Sequence, residues 1–166
     1  MGRILMISDL HLGHENMAKY RGFKSSEEHD NLIVSNWNKT VLKKDTVWIL
    51  GDVCMEKPHN YKVLSSLPGY KKVVLGNHDK PQHIQELLKY VNCVCGMFKY
   101  KKRYWFTHCS MHESEMYPGN INIHGHIHHK IIKDPRYINV SCDVVEYTPV
   151  LLSKLIEPYE WTNTTI

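Results

Sequence analysis

A series of short runs carries side chains able to bind a metal ion. They are Asp9-Leu10-His11, Gly51-Asp52, Gly76-Asn77-His78-Asp79, the lone His108, and His124-Gly125-His126-Ile127-His128. Taken as ligands, Asp9, His11, Asp52, Asn77, His108, His126 and His128 offer two carboxylates, one amide and four imidazoles. Oxygen and nitrogen donors of borderline softness suit divalent first-row ions, so manganese, iron, zinc or nickel would fit. Seven such donors are enough for two ions, the chemistry of a two-metal hydrolytic centre.

The runs are far apart in the chain, so the fold must bring them together. Apolar stretches precede most of them: residues 4–7 before Asp9, 47–50 before Asp52, 73–75 before Asn77, 104–106 before His108, and 121–123 before His126. Strands ending side by side would deliver these groups to one rim of a sheet, where open α/β folds place their sites. Helical signals lie between the early strands. Ser25-Ser26-Glu27-Glu28 reads as a capping box, and Leu32, Ile33, Asn36, Trp37 and Val41 continue at helical spacing to Lys44. Further helices are expected from Asn60 to Leu67, stopped by Pro68-Gly69, and from Pro81 to Tyr90. After Cys93 the pattern turns to strands: 93–100, 103–107, 121–124, 131–133 and 137–141. The expectation is one domain over residues 1–166, built as two sheets packed face to face with helices outside. The polar tail from Trp161 to Ile166 is expected to fray.

These motifs, in this order, resemble the calcineurin-like metallophosphoesterase superfamily, whose signature reads D-x-H, G-D, G-N-H-[D/E], a lone His and G-H-x-H. The match runs from Asp9 to His128, and the opening Ile7-Ser8-Asp9-Leu10-His11-Leu12-Gly13-His14-Glu15-Asn16 looks like a compact bacterial and phage-type branch. The resemblance implies a four-layer α/β/β/α sandwich of two mixed sheets. It also implies two divalent ions, manganese favoured, one held by Asp9, His11, Asp52 and His128 and the other by Asp52, Asn77, His108 and His126. Asp52 would then bridge the pair, and the ions would make a shared water acidic enough to attack phosphorus as hydroxide. His78 would be the catalytic histidine, protonating the leaving oxygen, with Asp79 hydrogen-bonded to it to orient it and favour its charged form.

Other residues are less determined. His14 and Asn16 could line the substrate pocket or tie down the loop after His11. Arg21 could hold a phosphate or sit at the surface. His124 and His129 flank the last ligand pair and read as supporting or surface residues. Cys109 and His112 stand where relatives tend to show Tyr-Pro or a similar pair.

Composition narrows the class. A net charge of +4 permits a nucleotide or nucleic-acid substrate without requiring one. The densest basic run, residues 99–104, reads as a hairpin turn. No apolar run approaches the ~20 residues of a membrane helix, and no signal-like stretch follows Met1, so no membrane partner is expected. Gly2 lacks the following Ser or Thr of a myristoylation site, since Met6 stands there. Five cysteines without a C-x-x-C pair suggest reduced thiols and a cytoplasmic protein.

The substrate is read from what is missing. Superfamily protein phosphatases extend G-D to G-D-x-x-D-R-G, and their Arg clamps a phosphate dianion. Here Gly51-Asp52 runs into Val53-Cys54-Met55-Glu56, and the chain has only Arg3, Arg21, Arg103 and Arg136. Protein phosphatase activity is therefore disfavoured, and since small relatives without a cap domain often act as phosphodiesterases, the resemblance implies a phosphodiesterase acting on a small diester or nucleotide. A phosphomonoesterase or nuclease of the same superfamily, or a non-catalytic scaffold, are the alternatives. The intact His78 counts against the scaffold.

Overall fold

The computed structural model describes residues 2–54 and 58–160, so the 161–166 tail lies outside the described residues. Two sheets form. The first has the order β4-β3-β2-β1-β9, from β1 (Ile4–Ile7), β2 (Thr46–Ile49), β3 (Tyr70–Val74), β4 (Cys93–Cys95) and β9 (Val150–Leu151). The second has the order β5-β6-β7-β8, from β5 (Phe98–Tyr100), β6 (Tyr104–Phe106), β7 (Ile121–His124) and β8 (Tyr137–Asn139). Both are mixed: β1 to β4 pair in parallel and β9 joins antiparallel, while β6 to β8 are parallel and β5 is antiparallel.

The central strands read as unbroken apolar runs because both of their faces are covered. Leu5, Ile7, Val47, Ile49 and Val73 face one core, shared with Ile33, Trp37 and Val41 of the helical side. Their neighbours Met6, Trp48, Leu50 and Val74 face a second core, shared with Tyr104, Phe106, Ile121 and Ile123 of the other sheet. Fully burying one such aliphatic side chain stabilises by about 1.5–3 kcal/mol.

The helices flank these sheets. α1 (Glu15–Tyr20) follows the first ligand run, and α2 (Ser26–Thr40) packs Ile33 and Trp37 onto the first sheet. Ser25 caps α2 by accepting the Glu28 N–H at 3.1 Å. The return half of the capping box is shifted by one residue, since the Glu28 carboxylate accepts the N–H of Lys24 at 2.8 Å. The helix expected over 60–67 forms as a 3-10 helix, Pro58–Ser66, and the one expected from Pro81 forms as a 3-10 turn, Pro81–His83, running into α3 (Ile84–Leu87). α4 (Leu152–Glu160) buries Leu152 and Ile156 at the edge of the core between the sheets. The outer face of the second sheet lies under the segment after His108, where Met111 N–H donates to Asn122 at 2.8 Å and the Tyr137 hydroxyl donates to the Met111 carbonyl at 3.0 Å.

Two strand expectations are corrected. Residues 93–100 are not one strand, because the chain leaves the first sheet after Cys95 and re-enters the second at Phe98. Residues 131–133 form no strand and lead through a turn, where Arg136 pairs with Asp134, into β8. The basic run 99–104 is the β5–β6 hairpin, with Lys101 and Lys102 in left-handed turn conformations. Among the described residues no helix is long and apolar enough to cross a membrane.

Candidate metal centre

The ends of β1, β2, β3, β6 and β7 meet at one rim. There the two sheets are joined by a parallel bridge, Ser8 to Ser141, and the Cys142 N–H donates to the Ser8 carbonyl at 2.9 Å. The loops are stitched in sequence, Asp9 N–H to the Gly51 carbonyl at 3.0 Å and His11 N–H to the Asp52 carbonyl at 2.9 Å. Asp9, His11, Asp52, His126 and His128 all have positive φ, between 46° and 70°. A non-glycine residue held there costs of order 1 kcal/mol or more, and such strain collects where function fixes side-chain direction. The motif glycines serve the same packing. A side chain at Gly76 would strike the Asp52 carboxylate, and one at Gly125 would strike Ser8 and the Asp9 carboxylate.

All seven expected ligands come together. Asp9, His11 and His128 offer donor atoms within 4.8 Å of one another, as do Asp9, Asp52 and His108. Asp52 Oδ2 lies 3.7 Å from His11 Nε2 and 3.4 Å from His108 Nε2, between the two groups of imidazoles. His108 Nε2 is also 2.9 Å from Asn77 Oδ1 and 3.2 Å from His126 Nδ1.

Hydrogen-bond roles show what this cluster lacks. His108 Nδ1 faces the Leu50 carbonyl at 2.8 Å, which can only accept, so Nδ1 carries a proton. In the neutral ring, Nε2 is then a lone pair facing the oxygens of Asn77 and Asp52. A cation among them would reconcile these acceptors. Burial opposes a proton on His108, but the Asp52 carboxylate, with Asp9 and the Leu50 carbonyl, raises it above its ordinary pKa. For Asp52, burial pushes upward, and the hydrogen bond and charge of His108, with the His78 N–H, pull it down to about 2. His11 is more telling. Both of its ring nitrogens are buried without a hydrogen-bond partner, and burial drives its pKa down to about 3. A buried neutral imidazole with no partner is a missing interaction of about 1–3 kcal/mol, which a metal bond would supply. The residues therefore fit a pair of divalent ions.

The remaining expectations fare differently. His78 is half-buried, its ring 5.8 Å from the His11 ring and its N–H on Asp52 Oδ1 at 3.0 Å. Asp79 does not hold His78. Its carboxylate accepts backbone N–H groups of Asp52 (2.8 Å), Val53 (3.1 Å) and Gly76 (2.9 Å), and burial pushes it up to about 6 against those donors. Arg21 is neither at the surface nor open to a phosphate. Its side chain is 1% exposed and donates to Asp143 and to the Asp9 carbonyl. His14 caps α1, its Nδ1 accepting the Met17 N–H at 2.7 Å, while Asn16 is exposed in the first turn of that helix. His124 is buried with Nδ1 on the Gly125 carbonyl at 2.9 Å, and His129 is exposed.

Three contributors were not foreseen. Ser141 donates to the Asp9 carboxylate at 2.8 Å, Asp143 lies 3.1 Å from His128 Nδ1, and Cys109 offers a donor within 4.8 Å of those of His108 and His126. Only Cys109 carried a signal in the chain, being next to a ligand.

Residues 2–146 match the family model of the calcineurin-like phosphoesterases. The chain belongs to this family of metal-dependent phosphoester hydrolases. It is 33% identical to an uncharacterised protein of Methanocaldococcus jannaschii, over 95% of this chain and 93% of that one. It is 28% identical to the gene 66 protein of Mycobacterium phage D29, over 86% of this chain and 89% of the other. A crystal structure of a protein of unknown function from Aquifex aeolicus superposes with a TM-score of 0.73 at 24% identity, covering 95% of this chain and 100% of its own, and so shares the fold.

Proposed function

We propose that this chain is a two-metal phosphodiesterase. One ion would be held by Asp9, His11, Asp52 and His128, the other by Asp52, Asn77, His108 and His126. When bound, the two ions supply a nucleophile from water and neutralise charge on the phosphoryl oxygens. The chain's own residues do the rest. Asp52, between the two imidazole groups, offsets repulsion between the cations. The His78 imidazole, set by its backbone bond to Asp52, gives the proton from a ring N–H to the leaving oxygen.

One observation favours a diester over a monoester: no Arg is free to reach into the rim, each being engaged elsewhere. Arg21 is tied beneath it to Asp143, Arg3 pairs with Asp45, Arg136 pairs with Asp134, and Arg103 donates to the carbonyls of Gly119 and Tyr159. A terminal phosphate dianion would meet no guanidinium clamp, whereas the single charge of a diester needs none. Asn77, Cys109 and His126, around the second ion's site, are exposed, so the rim is open to a substituent on that side. Small diesters and nucleotides are the proposed substrates, and manganese the proposed native ion. The test compares kcat/KM for bis-nitrophenyl phosphate and nitrophenyl phosphate at one pH and one manganese concentration. The diester is expected to be the better substrate, with activity lost to chelator. A clear reversal, or full activity after exhaustive chelation, refutes the reading.

A further inference from the structure

Under the rim lies a chain of polar groups that ends on His128 and whose other members have no part in the reaction. Asp30 Oδ2 accepts the Gly13 N–H at 2.7 Å, and Asp30 Oδ1 is 2.9 Å from His29 Nδ1. His29 Nε2 is 2.9 Å from Arg21 Nη1, Arg21 Nε and Nη2 bond Asp143 at 3.1 and 2.6 Å, and Asp143 Oδ2 is 3.1 Å from His128 Nδ1. Arg21 Nη2 also donates to the Asp9 carbonyl at 2.9 Å.

Every proton in this chain is fixed by its neighbours. A guanidinium can only donate, so His29 Nε2 accepts, and its Nδ1–H donates to Asp30. Arg21 Nη2 also lies 3.4 Å from His128 Nδ1, but its two hydrogens go to the Asp9 carbonyl and to Asp143; the Asp143 carboxylate can only accept, so His128 carries its proton on Nδ1. The lone pair of His128 is then left on Nε2, the nitrogen free to bind an ion. The network is sheltered: His29 is fully buried against the rings of Phe23 and Tyr147, and Arg21 lies 5.6 Å from the Tyr147 ring centre. It also grips both ends of residues 9–13, which hold Asp9 and His11 at φ of 58° and 46°.

We propose that Asp143 is the positioning residue of the first ion site, fixing the tautomer and direction of His128, and that Asp30, His29 and Arg21 extend this hold to the strained Asp9–His11 loop. The proposal rests on the two-metal reading of the rim. It assigns the network to one ion alone, because the residues of the other ion outside Asp52 (Asn77, His108 and His126) are not in it.

The test is a manganese titration of metal-free protein followed by calorimetry, with electron paramagnetic resonance reporting the coupled pair. Wild type should take up two ions and show the coupled signal. Asp143→Asn should weaken one ion by ~10–100-fold, the usual weight of a ligand's supporting partner, and leave the other unchanged. At intermediate manganese the coupled signal should give way to that of isolated ions. A role in folding alone would lower the thermal midpoint of the metal-free protein and weaken neither ion selectively. Should Asp143→Asn fail to fold, Asp30→Asn, which touches no ligand, should show the same selective loss at smaller size. Folded Asp143→Asn or Asp30→Asn with two wild-type affinities overturns the proposal while leaving the two-metal reading intact. A wild type that binds no ion overturns both.

Discussion

The Asp79 carboxylate accepts the backbone N–H of Asp52 at 2.8 Å, and does not contact the imidazole of His78, its neighbour in the chain. With its bonds to Val53 and Gly76 it pins the loop after β2 to the loop after β3. Asp52 and His78 are thus held in register by a third residue that meets neither side chain. Asp79→Ala would leave two buried N–H groups, of Asp52 and Val53, and the half-buried one of Gly76 without acceptors. At about 1–3 kcal/mol each, partly relieved by entering water, the expected loss is about 3 kcal/mol or more. Urea unfolding of the metal-free protein measures it. A loss under about 1 kcal/mol would show that the loops hold without Asp79.

His78 is set apart from the ligands by position, so its removal should separate chemistry from metal binding. His78→Ala is expected to keep two ions and the fold, and to lower turnover by ~10²–10⁴. The deficit should shrink for a diester with a very acidic leaving group, which needs no proton. Equal deficits for good and poor leaving groups would rule out proton donation by His78 and leave charge stabilisation as its role.

The site was legible in the chain because each motif couples a strand end to a ligand. All seven donors reach one rim for that reason, and their glycines are where neighbouring loops touch. The supporting residues were not legible. Asp143 lies 122 positions from Arg21, and no local pattern announces that pair. Asp79 was also misjudged: the resemblance implied a hydrogen bond to His78, whereas the turn aims its carboxylate back at backbone amides. In the fold, β1, β2, β3 and β7 were plain from their apolar runs. The run 93–100 hid a change of sheet, because both halves are equally strand-like. α4 was missed although Leu152 and Ile156 stand one helical turn apart.

Cys109 gives an independent reading of the rim, since its thiol is close to His108 and His126 and exposed. Bound ions should shield it. Alkylation of Cys109 by iodoacetamide, followed by peptide mass spectrometry, is expected to slow when manganese or zinc is added. Cys54 and Cys142, both buried, should stay unmodified in either state. An unchanged rate at Cys109 with two ions bound would place that thiol outside the reach of the metal pair.

Stability away from the site turns on Asp45, a buried carboxylate at the foot of β2. It accepts the side chain and backbone N–H of Arg3 and the backbone N–H of Leu42. The Arg3 hydrogen bond is the main reason its pKa falls well below the carboxylate range, with burial opposing. Folding therefore favours the charged form. A depressed folded pKa contributes stability that is fully present above the unfolded value, about 3.9, and is lost as pH falls toward the folded one. Asp45→Asn keeps the shape and removes the charge. It is expected to cost about 1–3 kcal/mol at pH 7, the usual range for hydrogen bonds to a charged group, and progressively less below pH ~4. Urea midpoints of the two proteins, measured in the same buffers at pH 7 and pH 3, test the sign. A gap that stays constant or widens toward acid would show that shape and not charge sets the worth of this contact.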